Sequence, residues 1–377
     1  MKAAEHRRIS GIDTLRGFIM AVMAIDHVSG FVARRHSEEF WGGAWTHYDS
    51  AAWFLTRFIT HLCAPGFFFL MGAGVALLAA SRQAAGWSDG RISGFLLKRG
   101  ALLLLLNQFV ENPAWILGFL SGRVQSAEAP VPGAGPPIFL VFTVITGLGL
   151  CLIAAAILLR FREWVWWLAA GAALLGSALF TPPPEAASTP YSLALRLLFL
   201  PGQSGPAYVM YSLVPWFGLT SLGLIFGRWI VRDARAAFGA APWIGVALCA
   251  GALLLRAASG FGNLRPPRDA SWIEFFNFIK YPPALVFSLF MLGVNLILLV
   301  SLPRNSWLTV FGQTPLFYYI IHLYLFAAIG AAFFRDGAGV VTLYAVWAAG
   351  LVPLYYACRW YRSFKQSKPP ESVWRFF

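Results

Sequence analysis

Long apolar runs separated by short polar or proline-rich breaks dominate this chain. Ten mostly apolar stretches fall near 14–34, 54–81, 99–121, 137–159, 164–180, 208–228, 241–258, 283–301, 312–334 and 339–360. Each is close to the roughly 20 residues that a helix needs to cross a bilayer. The breaks include PVPGAGPP at 130–137, TPPP at 181–184 and RPPR at 265–268, where consecutive prolines cannot continue a helix. The pattern predicts an all-α bundle of about ten transmembrane helices. Nothing is left over for a separate soluble domain, and no internal repeat stands out. The whole chain, 1–377, reads as one transmembrane domain, with a cytoplasmic N-terminal segment at 1–12 and a basic cytoplasmic tail at 361–377.

Composition agrees with that pattern. Hydrophobic residues make up 58% of the chain and charged residues 12%, and mean hydropathy is +0.65. A soluble domain carries roughly 25% charged residues, so much of this surface must face lipid. The formal net charge of +13 does not indicate nucleic acid, because the basic residues gather at helix ends. With the N-terminus inside, 18 of the 29 Lys and Arg fall on the cytoplasmic side, nine on the opposite side, and Arg16 and Arg57 within spans. That bias places both termini in the cytoplasm. The opening MKAAEHRRIS and its apolar run resemble a signal peptide, but Asp13, Arg16, Asp26 and His27 interrupt the run. It reads as a retained first helix. Cys63, Cys151, Cys249 and Cys358 form no CxxC pair, so neither a disulfide framework nor a metal site is expected. The long outer connections, 181–207 and 257–282, read as a vestibule or as interfacial amphipathic pieces.

Ionisable side chains inside a span are costly and are functional candidates by default. On the first helix Asp13, Arg16, Met20, Met23 and His27 share one sector of about 80°. This stripe is expected to face the bundle interior, with Arg16 toward the cytoplasmic end and His27 past the midplane. Arg57 and His61 are spaced i, i+4, with Pro65 one turn later; His322 follows Tyr318 and Tyr319. These groups are expected to meet in one polar pocket. The plainer roles are an Arg16–Asp13 pair, and His61 or His322 bonding a neighbouring helix. His6 and His36 read as solvated flanks, and Gly72–Gly74 as helix packing.

These residues carry a resemblance. RISGIDTLRGFIMAVMAIDHVSGF resembles the opening of the transmembrane acyltransferases, and Arg16 and His27 match the Arg-x10-His motif of acyltransferase type 3. FLTRFITHLCAPGFFFLMGAG (54–74), VPWFGLTSLGLIFGR (214–228), KYPPALVF (280–287) and FGQTPLFYYIIHLYLF (311–326) together are similar to the bacterial branch of the heparan-alpha-glucosaminide N-acetyltransferase catalytic-domain family. The likeness runs from about residue 8 to 360. It implies transfer of an acetyl group from cytoplasmic acetyl-CoA to a sugar on the far side. It places Arg16 near the donor and makes His27 the base, and it draws Lys280 and Tyr281 into the KYPP motif. In the eukaryotic lysosomal branch the functional histidine lies instead in the first non-cytoplasmic loop, which here makes His47 the reserve.

Histidine suits removal of the acceptor's proton because its pKa lies near working pH. Adjacent helical side chains point about 100° apart, so Asp26 cannot orient His27 by simple contact. Its partner is expected from another span, with Arg57–His61 as one option. The phosphates of the donor need cations; Arg16, Lys98 and Arg99 are the first candidates, Arg228 and Arg232 the next. Direct transfer and an acetyl-histidine intermediate both stay open, as do the acceptor's identity and a homo-oligomeric state. Two rivals stand beside this reading. One is a transporter or channel, though no repeat symmetry supports it; the other is a bis-histidine haem protein.

Overall fold

The computed structural model describes residues 2–36, 38–42, 46–48, 50–120, 138–369 and 371–375. The PVPGAGPP break and Arg123 lie outside the described residues, as do the side chains of Lys2, Arg7 and Arg8. Fourteen α-helices are described, and each of the ten predicted stretches falls on helix. α1 (Lys2–Phe31) is followed by α2 (Ala51–Thr60) and α3 (Cys63–Ala84), which continue one another across a step at His61–Leu62. α4 (Asp89–Leu106) runs through a π-helical turn, Asn107–Glu111, into α5 (Asn112–Leu120). Then come α6 (Val144–Leu158), α7 (Glu163–Phe180), the short α8 (Leu193–Leu198) and the long α9 (Leu213–Ala257). α9 joins the stretches predicted at 208–228 and 241–258, and its backbone leaves helical geometry at Asp233 (φ −151°, ψ 92°). α10 (Trp272–Phe276), α11 (Leu285–Ser301), α12 (Ser306–Gln313), α13 (Pro315–Phe333) and α14 (Val340–Gln366) complete the set.

Local chemistry sets the helix ends. Ser50 and Ser88 accept from the backbone N–H of Trp53 and Arg91, at 3.4 and 3.3 Å, and start α2 and α4, as N-cap hydroxyls do. Gly86, at φ +80°, closes α3 in the left-handed conformation that glycine adopts freely. Pro315 opens α13, where its missing N–H costs nothing.

Five of these units are long and apolar enough to cross a membrane by length and composition: Ala51–Ala84, Glu163–Phe180, Leu213–Ala257, Pro315–Phe333 and Val340–Gln366. Val144–Leu158 and Leu285–Ser301 are shorter apolar helices. α1 falls short because Arg16, Asp26 and His27 lower its hydropathy. Large apolar side chains point outward on many helices; Phe180 is 81% exposed and Val341 80%. A soluble protein would leave no such surface uncovered, so the chain is a membrane protein.

α1 is the axle of the bundle and packs against α2, α3, α5, α11, α12, α13 and α14. A second group packs α3, α7 and α11 on α9, while α4 lies on α6. Small residues allow the closest crossings. A Cβ on Gly223 would sit 1.9 Å from the Phe69 carbonyl oxygen, and one on Gly72 2.0 Å from that of Thr220. Gly72 is thus a packing residue, whereas Gly74 has open space around it. Gly223→Val is expected to force α3 and α9 apart. It should abolish the monodisperse peak in size-exclusion chromatography, and a normal peak would contradict this packing.

The bundle is not purely helical. β1 (Leu140–Phe142), β2 (Gly202–Ser204) and β3 (Ala207–Val209) form a small sheet in the order β1-β3-β2. Leu140 pairs with Ala207 in parallel, and Gly202 with Val209 antiparallel. The predicted long connections therefore hold two short helices and a hairpin. Arg196 in α8 and Arg256 at the end of α9, two of the nine cations counted on the opposite side, are fully buried. The Arg256 guanidinium donates to the carbonyl oxygens of Arg265, Glu274, Phe275 and Asn277 at 2.7–3.2 Å. It holds a loop that has few backbone partners of its own.

Candidate functional site

The polar stripe on α1 faces the interior as its spacing predicts, and it joins two sites. At the first, Arg16 donates to Asp13 Oδ1 at 3.1 Å and to the Gly312 carbonyl at 2.9 Å. Gln313 donates to Asp13 Oδ2 at 3.2 Å. The predicted Arg16–Asp13 pair therefore forms, yet Arg16 also lines a cavity of about 330 Å³. Arg99, Lys365 and Arg375 share its cationic end. From there α3, α4 and α6 wall it with Leu70, Met71, Leu103 and Leu148, and it reaches Met20 on α1 and Tyr319 on α13. One end suits an anion and the walls suit an apolar or extended chain. Lys98 does not take part: it is exposed and outside the lining. Neighbouring residues on a helix point apart, so only one of the Lys98–Arg99 pair can face inward. Arg228 and Arg232 are also elsewhere, bonded to the Leu159 carbonyl and to Glu163.

At the inner end of this cavity the Tyr319 ring lies 6.0 Å from His27, edge to face. His27 Nδ1 is 2.6 Å from His322 Nε2, and His322 Nδ1 is 2.9 Å from the Tyr318 carbonyl oxygen. Both rings are buried. A carbonyl only accepts, so His322 Nδ1 carries the hydrogen and its Nε2 a lone pair. That lone pair accepts from His27 Nδ1–H, which leaves Nε2 of His27 as the lone-pair nitrogen. The expectation of a partner from another span holds, but that partner is His322 on α13 and not the Arg57–His61 pair.

Arg57 and His61 belong to a second network at the far end of α1. Arg57 donates to Glu39 through Nε at 2.9 Å and Nη2 at 2.7 Å, and to Asp26 Oδ1 through Nη1 at 2.5 Å. His61 Nε2 lies 3.4 Å from Glu39 Oε2, and the Tyr48 hydroxyl donates to Glu39 at 2.8 Å. Lys280 is buried beside this cluster, with Nζ 5.0 Å from the Tyr281 ring centroid. Burial, then the positive charge of Arg57, draws its ammonium down to about 8. Tyr281 exchanges a hydrogen bond with Tyr211 at 3.2 Å. The single pocket expected from the sequence is therefore two networks, because His27 and Asp26 leave α1 in different directions.

The loop histidine also differs from expectation. His36 is largely buried: Nε2 stands 3.6 Å from Asp26 Oδ2 and Nδ1 3.7 Å from Glu38. His47 is exposed and sits on the rim of an outer pocket of about 50 Å³, with Asp26, Trp53 and Arg57. Trp115 stands against both His27 and His36, with ring centroids 5.2 and 6.0 Å away.

Sequence reasoning missed Glu39 and Glu111. Glu111 lies in the π turn, a geometry often found at functional sites. Its carboxylate accepts from Asn107, Thr143, Trp115 and Tyr319 at 2.5–3.2 Å. It thereby holds Tyr319 at the cavity and Trp115 against His27. An acidic residue within the predicted span 99–121 was the signal for it. Glu39 lies in a loop and gave no such signal. Among the described residues no group of His, Cys, Asp or Glu is arranged to hold a metal ion.

Fold and site together define a helical membrane protein in which a buried, lone-pair-bearing histidine stands behind Tyr319, a lining residue of a cavity with a cationic end. The catalytic-domain model of the heparan-alpha-glucosaminide N-acetyltransferases matches residues 8–255, and the chain belongs to that family of membrane acetyltransferases. The matched region contains α1 and the cavity walls of α3, α4 and α6, while Lys280 and His322 lie beyond it. A comparison with the curated proteins finds no match.

Proposed function

We propose that this protein transfers an acetyl group from cytoplasmic acetyl-CoA to a hydroxyl or amine of a cell-envelope saccharide on the opposite side of the membrane. The observation that carries the reading is the cavity itself. Its cationic end, at Arg16, Arg99, Lys365 and Arg375, suits the donor's phosphates. Its apolar walls suit the pantetheine arm, and its lining residue Tyr319, 6.0 Å from the His27 ring, brings the thioester toward His27. The excess of Lys and Arg on one side supports a cytoplasmic position for the cationic end. The acceptor comes through the outer pocket at Asp26, His47 and Trp53.

His27 Nε2 takes the proton from the acceptor's O–H or N–H as that atom attacks the thioester carbonyl. The C–S bond then breaks, the thiolate leaves, and the proton passes from His27 to sulfur. His322 fixes the tautomer throughout. A second candidate base, His36, is favoured by one observation: Asp26 stands at 3.6 Å from its ring, on the side of the outer pocket. His47, the reserve base, lines that same pocket with Asp26 and Arg57.

Donor binding is the direct test. Acetyl-CoA at 100 times its Kd should stabilise the protein by about 2.7 kcal/mol, read as a rise in unfolding temperature. Arg16→Ala and Arg99→Ala should each diminish that rise. If no acyl-CoA shifts the wild-type protein, the transporter reading takes its place.

A further inference from the structure

The basic C-terminal tail is folded against the cationic end of the cavity, and Lys365 and Arg375 of that tail line it. After α14 the chain turns back at Ser367, and its last described residues form a single 3₁₀ turn, Val373–Arg375. Three contacts among the described residues tie this strap to the helices. Glu371 is ion-paired with Arg91, at the start of α4. The Tyr361 hydroxyl donates to the Trp374 carbonyl at 2.7 Å. The Trp374 ring packs edge-on against Phe364, 5.6 Å between centroids. The guanidinium of Arg375 donates from Nε and Nη2 to the Lys368 carbonyl, at 2.9 and 2.8 Å, and from Nη2 to that of Gln366 at 3.1 Å. These bonds orient the fork, and Arg375 reaches the cavity lining beside Arg16, Arg99 and Lys365.

Arg16 is paired with Asp13 at 3.1 Å and Lys365 donates to the Gln313 carbonyl at 3.2 Å, yet four cations against one carboxylate leave this end of the cavity net positive and suited to an anion. Three of them sit on helices; the fourth is delivered by a strap fastened by one exposed ion pair, one aromatic contact, the Tyr361–Trp374 hydrogen bond and the bonds of Arg375 to the end of α14. Exposed ion pairs are worth little, so the strap can open while the bundle stays intact. Open, it exposes the cationic end; closed, it places a preorganised guanidinium there.

We propose that the C-terminal strap closes over the donor and that Arg375 is a donor-binding residue, which selects a thioester carried on a phosphorylated nucleotide over the same thioester without phosphates. The proposal rests on the acetyltransferase reading. Charge-assisted bonds of this kind govern affinity by about ten- to a hundredfold.

The experiment compares two probes, acetyl-CoA and S-acetylpantetheine, which lacks the nucleotide and every phosphate. Binding to the purified full-length protein is measured by calorimetry in wild type, Arg375→Ala, Arg375→Lys and a chain ended after Ser367. Arg375→Ala and the truncation should weaken acetyl-CoA about ten- to a hundredfold, leave S-acetylpantetheine unchanged, and show partial recovery in Arg375→Lys. Equal acetyl-CoA affinity in wild type and Arg375→Ala overturns the proposal while the acetyltransferase reading stands. Equal weakening of both probes also overturns it, since that marks a merely structural tail. A wild-type protein that binds neither probe overturns the proposal together with the reading beneath it.

Discussion

His27→Ala is expected to lower acetyl transfer by about 10²–10⁴-fold, the usual worth of a positioned general base, while the protein still folds. The ring is buried against Trp115, Tyr319 and His322, but the bundle is held by other contacts, so a smaller side chain leaves a cavity and not a broken helix. The same experiment separates the two candidate bases. If His27 is the base, His36→Ala retains most of the activity and His322→Ala loses much of it, because His27 then lacks the acceptor that fixes its tautomer. If His27→Ala transfers acetyl at the wild-type rate while His36→Ala does not, the Asp26–His36 pair is the proton acceptor. The readout is acetyl-CoA consumption in proteoliposomes given a saccharide acceptor, with circular dichroism to establish that each variant is folded.

Arg57→Met is expected to destabilise the protein by about 3–5 kcal/mol, the cost of stripping the partner from a buried charge. In this protein one guanidinium serves two carboxylates, Glu39 and Asp26, both largely buried. Removing it leaves two anions where water is scarce. The charge argument makes a further demand: adding Asp26→Asn and Glu39→Gln to Arg57→Met should restore much of the lost stability, because neutral amides of the same shape need no counter-charge. Thermal unfolding in detergent reads both effects. An Arg57→Met protein with the wild-type unfolding temperature would falsify the picture of an interdependent charge cluster.

The network also explains how the loop after α1 is held. Glu39 contributes its carboxylate to Arg57 and His61, and its carbonyl to the backbone N–H groups of Lys280 and Tyr281, both at 3.0 Å. One residue thereby ties the α1–α2 connection to the segment before α11. Asp26 is shared between this network and His36, so the outer pocket and the buried histidine pair are built from consecutive residues of one helix.

The sequence by itself determined the apolar spans, the helical class and the inward stripe of α1, because these follow from periodicities that each segment carries locally. Arg16 and His27 were legible for the same reason: a polar group in an apolar run stands out against its own neighbours. Glu111 carried the same signal, as an acidic residue inside a span, but sequence reasoning passed over it. Only the tertiary structure decided partners. His27 meets a residue 295 positions away, and no local pattern encodes which helices face one another. Glu39 and His36 look like ordinary loop residues until folding brings Arg57 and Asp26 to them. Arg99 and Lys98 are indistinguishable as letters; the rotation of α4 against α3 and α6 turns one into the cavity and the other away. The tail was visible as a run of basic residues, but its contacts, with Arg91 some 280 residues earlier and with Tyr361 and Phe364 on α14, were not. Charges choose their partners by what the packed backbone brings within reach, and that choice is made by the whole bundle at once.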